Sequence, residues 1–199
     1  SYGRAAGFSF YPGKNLGAYG EGGAVVTSDE TLAEIIMKLR DHGSGKKYYH
    51  DIIGYNARME GIQGAILAVK LKYLDRWNNE RNRVAARYRE RLKGLPLKLP
   101  AEFERHYQVY HQFVIETDHR DQLQKYLAEQ AIPTLIHYPI PVHKQKGFVA
   151  AGFGHGPYPV TENLAGRILS LPIYPELTDE AIDMISSKIY EFFSRSSEI

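Results

Sequence analysis

Lys14 stands in a setting that suits an amine held at a fixed point. It follows a Pro12-Gly13 turn and lies five residues after Ser9. It precedes a glycine cluster (Gly17, Gly20, Gly22, Gly23) and the apolar run Ala24-Val25-Val26-Thr27. An isolated lysine is usually a solvated surface charge. One held by such a turn and drawn out of water is a usable nucleophile and base, able to form a Schiff base with a carbonyl cofactor. Ser9 can offer its hydroxyl to an anion from the same turn. The glycines do not match the phosphate loop G-x-x-x-x-G-K-[ST], because the lysine precedes them and no helix follows directly. They suit a tight turn and a close approach of backbone to a ligand.

Two further groups of residues can carry chemistry. Tyr55, Asn56 and Arg58 stand before a helical pattern. Spacing alone favours a helix entry capped by Asn56; the functional reading is an amide and a guanidinium offered to an anionic ligand. His137, Tyr138 and His143 lie on a stretch stiffened by Pro139 and Pro141. A substrate-contacting loop and a merely rigid connection fit it equally, and with no third ligand nearby no metal site is expected. Seven basic residues against two acidic ones fall between Arg76 and Lys93. A solvated helix face is favoured over a nucleic-acid stripe there, because the net charge of the whole chain is only +2.

The elements that must position these groups follow from hydrophobic period and punctuation. Residues 8–12 and 23–27 read as strands around the lysine loop. Residues 29–40 read as a helix opened by a Ser28 cap, with Leu32, Ile35, Ile36 and Leu39 at helical spacing. Residues 41–56 read as an ordered loop. Met59 to Leu92 reads as one long helix of about 50 Å, ended by Gly94 and Pro96. The second half reads as a small α/β unit. Strands are predicted over Tyr107–Glu116 and Ile132–Tyr138, with helices opened by Asp118, over 160–169, and from Thr178 with Ile182, Ile185, Ile189 and Phe192 on one face. A hydrophobic content of 43% over 199 residues is enough for a packed core. There is no cysteine, hence neither a disulfide framework nor thiolate chemistry, which fits a cytoplasmic protein. No apolar stretch approaches the roughly 20 residues of a membrane span.

With these residues assembled, the chain resembles the DegT/DnrJ/EryC1/StrS family of PLP-dependent nucleotide-sugar aminotransferases. The resemblance is carried in order by SFYPGKNLGAYGEGGAVVT, RDHG, YYHDIIGYNARM, IHYPIPVH and LSLPIYPELT. It implies an α/β chain of the PLP-dependent transferase fold type I, present in part. Residues 1–58 would be the end of the large domain, 59–93 a linking helix, and 94–199 the small C-terminal domain. It implies that Lys14 holds pyridoxal phosphate as a Schiff base, that Ser9 bonds the cofactor phosphate, and that Asn56 reaches the phosphate of the neighbouring subunit in a homodimer with shared active sites. Tyr55, Arg58, His137, Tyr138 and His143 would lie on the substrate side. The implied reaction is transamination of a keto-sugar nucleotide with glutamate as amino donor. The family's upstream half, with the acid that pairs with the pyridine nitrogen, is missing from this sequence. The chain is therefore expected to be inactive alone; the alternative is a truncated paralogue serving as dimer partner or scaffold.

Overall fold

A computed structural model describes residues 3–196. The chain divides into two compact units, Ser1–Asp75 and Arg76–Ile199.

In the first unit, strands β1 (Ala5–Ser9) and β2 (Gly23–Thr27) pair antiparallel, from Ala5 opposite Thr27 to Ser9 opposite Gly23. β1 lies upstream of the strand predicted over 8–12, because the chain turns at Tyr11 and Pro12 has no N–H for a ladder. Helix α1 (Glu30–Arg40) is capped by Asp29, whose carboxylate accepts from Leu32 N at 2.9 Å. The cap was predicted at Ser28. Asp29 takes it because Thr27 Oγ1 accepts its N–H at 3.0 Å and Arg4 pairs with its carboxylate at 2.9 Å. The ordered stretch after α1 contains a small hairpin, β3 (Ser44–Lys46) with β4 (Tyr49–His50). Its neck is a backbone crossing of Gly43 and Gly54. Gly43 has φ +75°, and a Cβ there would overlap the Ile52 carbonyl oxygen. A Cβ on Gly54 would overlap Gly43 in turn.

The long helix is two helices, α2 (Gly61–Leu71) and α3 (Leu74–Leu92). The break is a tightened last turn, with Tyr73 N donating to Lys70 O at 3.0 Å. Neither glycine nor proline marks it.

The second unit is built around strands β5 (Phe113–Glu116) and β6 (Ile168–Leu171), paired antiparallel. Phe113 opposite Leu171 and Ile115 opposite Leu169 face one side and are buried. Tyr88 and Leu92 of α3, Leu123 and Leu127 of α4 (Arg120–Glu129), and Ile182, Ile185 and Ile189 of α7 (Asp179–Ser196) join the same core. Between α4 and β6 lie α5 (Lys146–Ala150) and α6 (Pro159–Ala165).

Several predicted elements change here. β5 is shorter than Tyr107–Glu116, because Tyr110 has φ +41° and bends the chain. The buried Arg81 guanidinium receives that bend, donating to Tyr110 O and Ile173 O at 3.1 Å. The strand predicted over Ile132–Tyr138 reduces to one bridge, Leu135 to Ser170, between two prolines that cannot donate. Asp118 does not cap α4; Arg167 holds it at 2.8 Å. The helix predicted over 160–169 stops at Ala165, and β6 takes its end. On α7, Phe193 is buried where Phe192 was expected, and Phe192 packs from the edge of the core.

The basic run of α3 is engaged inside the unit. Arg83 pairs with Asp179, and Arg87 and Arg91 with Asp183. Arg89 donates to Pro100 O and pairs with Glu102 at 3.0 Å.

Candidate functional site

Lys14 ends a turn in which its N–H donates to Tyr11 O at 2.9 Å and Pro12 holds the second position. The strands continue one step beyond Ser9, with Phe10 N donating to Gly22 O and Ala18 N to Phe10 O, both at 2.8 Å. Gly17 is buried so closely against Pro12 that a Cβ would overlap the Pro12 carbonyl. Helix α2 grips the same loop: Gln63 Oε1 accepts from Tyr19 N at 2.8 Å, and Lys70 Nζ donates to Gly17 O at 2.5 Å. The loop is thus braced on both sides of the lysine. Lys14 is half-buried, and its ammonium has no hydrogen-bond or ion-pair partner among the described residues. Ser9 Oγ accepts from Tyr11 N at 3.3 Å, which leaves its own proton to donate.

Asn56 does not cap a helix: α2 starts at Gly61, with Glu60 as N-cap. Asn56 instead lies opposite Asp41, the residue that ends α1. Three backbone bonds zip these segments together. Tyr55 N donates to Leu39 O at 2.7 Å, His42 N to Tyr55 O at 2.8 Å, and Ala57 N to Arg40 O at 2.9 Å. Arg58 is tied here too, Nη1 to Asp41 Oδ1 at 2.9 Å and Nη2 to Asn56 Oδ1 at 3.1 Å. Tyr55 faces an apolar cleft of about 910 Å³ that is also lined by Phe8, Val25, Ile36, Met37 and Met59. Lys14 does not line that cleft. No hydrogen bond joins Ser9 or Lys14 to Asn56 or Arg58 among the described residues.

His137, Tyr138 and His143 belong to the second unit. His137 Nδ1 is 2.8 Å from Ser170 Oγ, and the exposed Tyr138 ring stands edge-on to His137 at 5.4 Å. His143 Nε2 meets Glu162 Oε1 at 2.9 Å and stacks edge-on with Tyr158 at 4.7 Å. The other oxygen of Glu162 takes Lys144 Nζ at 2.6 Å. Lys144, then His143 and the Tyr158 N–H, hold the Glu162 carboxyl at about 2, against an ordinary 4.5. The two histidines therefore have separate partners, and among the described residues no cluster of histidines and acids could hold a metal ion.

Sequence reasoning missed Gln63, Lys70, Asp41 and Glu162. Gln63 and Lys70 carried a signal, since they lie two turns apart on one face of a mostly apolar helix. Asp41 carried none, and neither did the ties of Glu162 to His143 and Lys144, because these partners are distant along the chain.

The profile of the DegT/DnrJ/EryC1/StrS aminotransferase family matches residues 1–190. The chain belongs to the DegT/DnrJ/EryC1/StrS aminotransferases. It is 49% identical over 182 residues to the erythromycin biosynthesis sensory transduction protein EryC1 of Saccharopolyspora erythraea, covering 91% of this chain and 50% of that protein. It is 45% identical over 173 residues to dTDP-3-amino-3,4,6-trideoxy-alpha-D-glucose transaminase of Streptomyces venezuelae, covering 86% of this chain and 46% of that one. Its α/β fold matches NtdA of Bacillus subtilis, solved with bound cofactor PMP, at TM-score 0.87 and 31% identity, over 97% of this chain and 46% of that one. The chain thus spans about half the length of these DegT/DnrJ/EryC1/StrS relatives. The cofactor of the family is pyridoxal phosphate, of which PMP is the aminated form. The residues present fit it: an amine without a partner, a hydroxyl with a proton to give on the same braced loop, and an amide whose NH2 edge is open. Among the described residues no helix is long and apolar enough to cross a membrane.

Proposed function

We propose that this chain supplies the cofactor lysine, Lys14, to a transaminase that converts a keto-sugar nucleotide into an amino-sugar nucleotide, with glutamate as amino donor. The observation that carries the reading is the Lys14 ammonium, without a partner on a loop braced by Gln63 and Lys70. The sugar-nucleotide transaminase of S. venezuelae, at 45% identity, supports the substrate class.

Bound pyridoxal phosphate supplies the carbonyl that accepts an amino group and the electron-poor ring that stabilises charge at the adjacent carbon. The chain's own residues do the rest. Lys14 Nζ would hold the cofactor through its amine and, as a free base, would take up and return a proton at the donor α-carbon. The loop's bracing keeps that amine at one point, which lowers the entropic cost of each transfer. Ser9 donates its hydroxyl proton to the phosphate, and Asn56 donates from Nδ2 to the phosphate of the neighbouring subunit. Tyr55, Arg58, His137, Tyr138 and His143 are assigned to the substrate side. A cytoplasmic homodimer with shared sites goes with this reading. So does weak cofactor binding by residues 1–199 alone, since the partner of the pyridine nitrogen lies upstream in the family.

Borohydride reduction of the protein treated with pyridoxal phosphate, followed by peptide mapping, tests the reading. The expected label is a single adduct on the peptide carrying Lys14, lost in Lys14→Ala. Equal labelling of surface lysines such as Lys46 and Lys47, with Lys14 unmodified, would overturn it.

A further inference from the structure

We propose that Asp41 is a positioning residue that, through Arg58, sets which edge of the Asn56 amide faces the cofactor phosphate. The inference rests on the reading of Asn56 as a phosphate donor. An asparagine amide has a donating edge and an accepting edge, and only the first attracts a phosphate. A guanidinium has donors alone. The amide edge that Arg58 Nη2 meets at 3.1 Å must therefore be the oxygen, and the NH2 is turned the other way. Arg58 is itself held by Asp41 Oδ1 at 2.9 Å, and the same Nη2 lies 3.3 Å from His42 Nε2.

The backbone makes the arrangement rigid. Asp41 ends α1 and lies opposite Asn56, so carboxylate, guanidinium and amide all spring from two zipped segments. The Gly43–Gly54 crossing locks the register of those segments. The Asp41 and Arg58 side chains are about half exposed, so their ion pair adds little to folding. Its consequence is orientation: Asn56 cannot present its oxygen to an anion without giving up the hydrogen bond from Arg58 Nη2.

The test compares two ligands that differ only at the phosphate. Affinities of the full chain for pyridoxal phosphate and for pyridoxal are measured by absorbance titration after cofactor removal. Asp41→Asn is expected to weaken pyridoxal phosphate about tenfold while leaving pyridoxal within about twofold. Asn56→Ala should do the same, and the double variant should be no weaker than Asn56→Ala, because Asp41 acts only through Asn56. If Asp41→Asn melts below the assay temperature, Arg58→Lys gives the same comparison, since an ammonium cannot hold carboxylate and amide in one plane. Asn56→Ala without effect on the ratio of the two affinities sinks the phosphate-donor reading. An impaired Asn56→Ala beside unimpaired Asp41→Asn and Arg58→Lys sinks the positioning role, as does equal weakening of both ligands.

Discussion

The two units of this chain are built on opposite terms. Arg76–Ile199 holds a continuous core in which Tyr88, Phe113, Ile115, Leu123, Leu127, Ile182 and Ile189 are fully enclosed. In Ser1–Asp75 the described apolar side chains that are buried are Ala18 and Leu67. Phe8, Val25 and Val26 stand about half exposed on a two-stranded sheet, and α1 buries nothing. A lone strand pair is marginal in water. Yet Ser9, Lys14, Asn56 and Arg58 all lie in that unit. The residues proposed to hold the cofactor thus sit in the unit whose described residues are ordered by backbone zippers and glycine crossings.

The sharpest way to break this contrast is to separate the units. Residues 76–199 expressed alone are expected to melt cooperatively, and residues 1–75 alone to show no cooperative transition by circular dichroism. A shared cooperative transition in the smaller piece would dissolve the distinction. Single substitutions should repeat it on a smaller scale. Ile115→Ala is expected to cost about 2–5 kcal/mol in urea denaturation, whereas Val25→Ala should stay within about 0.5 kcal/mol. Gly43→Ala probes what replaces a core in the first unit. With φ +75° and no room for a methyl group, it should cost about 1–3 kcal/mol and speed amide exchange across residues 42–56.

The mildest effect is pH-dependent. Glu162 has a folded value of about 2, against 4.5, so its ties to Lys144, His143 and Tyr158 are complete above about pH 4.5 and are lost as pH falls toward 2. Limited proteolysis of the 139–159 loop should quicken across that window and lose its pH dependence in Glu162→Gln.

What could be read in advance follows the range of the forces involved. The Pro12-Gly13 turn and the β2 strand rest on neighbours in sequence, and they stand where expected. β6 was hidden, because Ile168 to Leu171 continues an apolar helix pattern and only Gly166 interrupts it. The helix break at Lys72 and Tyr73 has no local signature. The turn that carries Lys14 was legible from Pro12 and Gly13. The pairing of Arg58 with Asp41 was not, since it joins residues seventeen positions apart whose meeting depends on the Gly43–Gly54 crossing.

The grip of α2 on the lysine loop has a consequence for how the chain tolerates damage. Gln63 and Lys70 moor the loop at Tyr19 and Gly17 without using the covalent path between them. The exposed tip at Lys46 and Lys47 lies on that path. A protease nick there would cut the polypeptide between loop and helix and still leave the amine tethered in place by two hydrogen bonds.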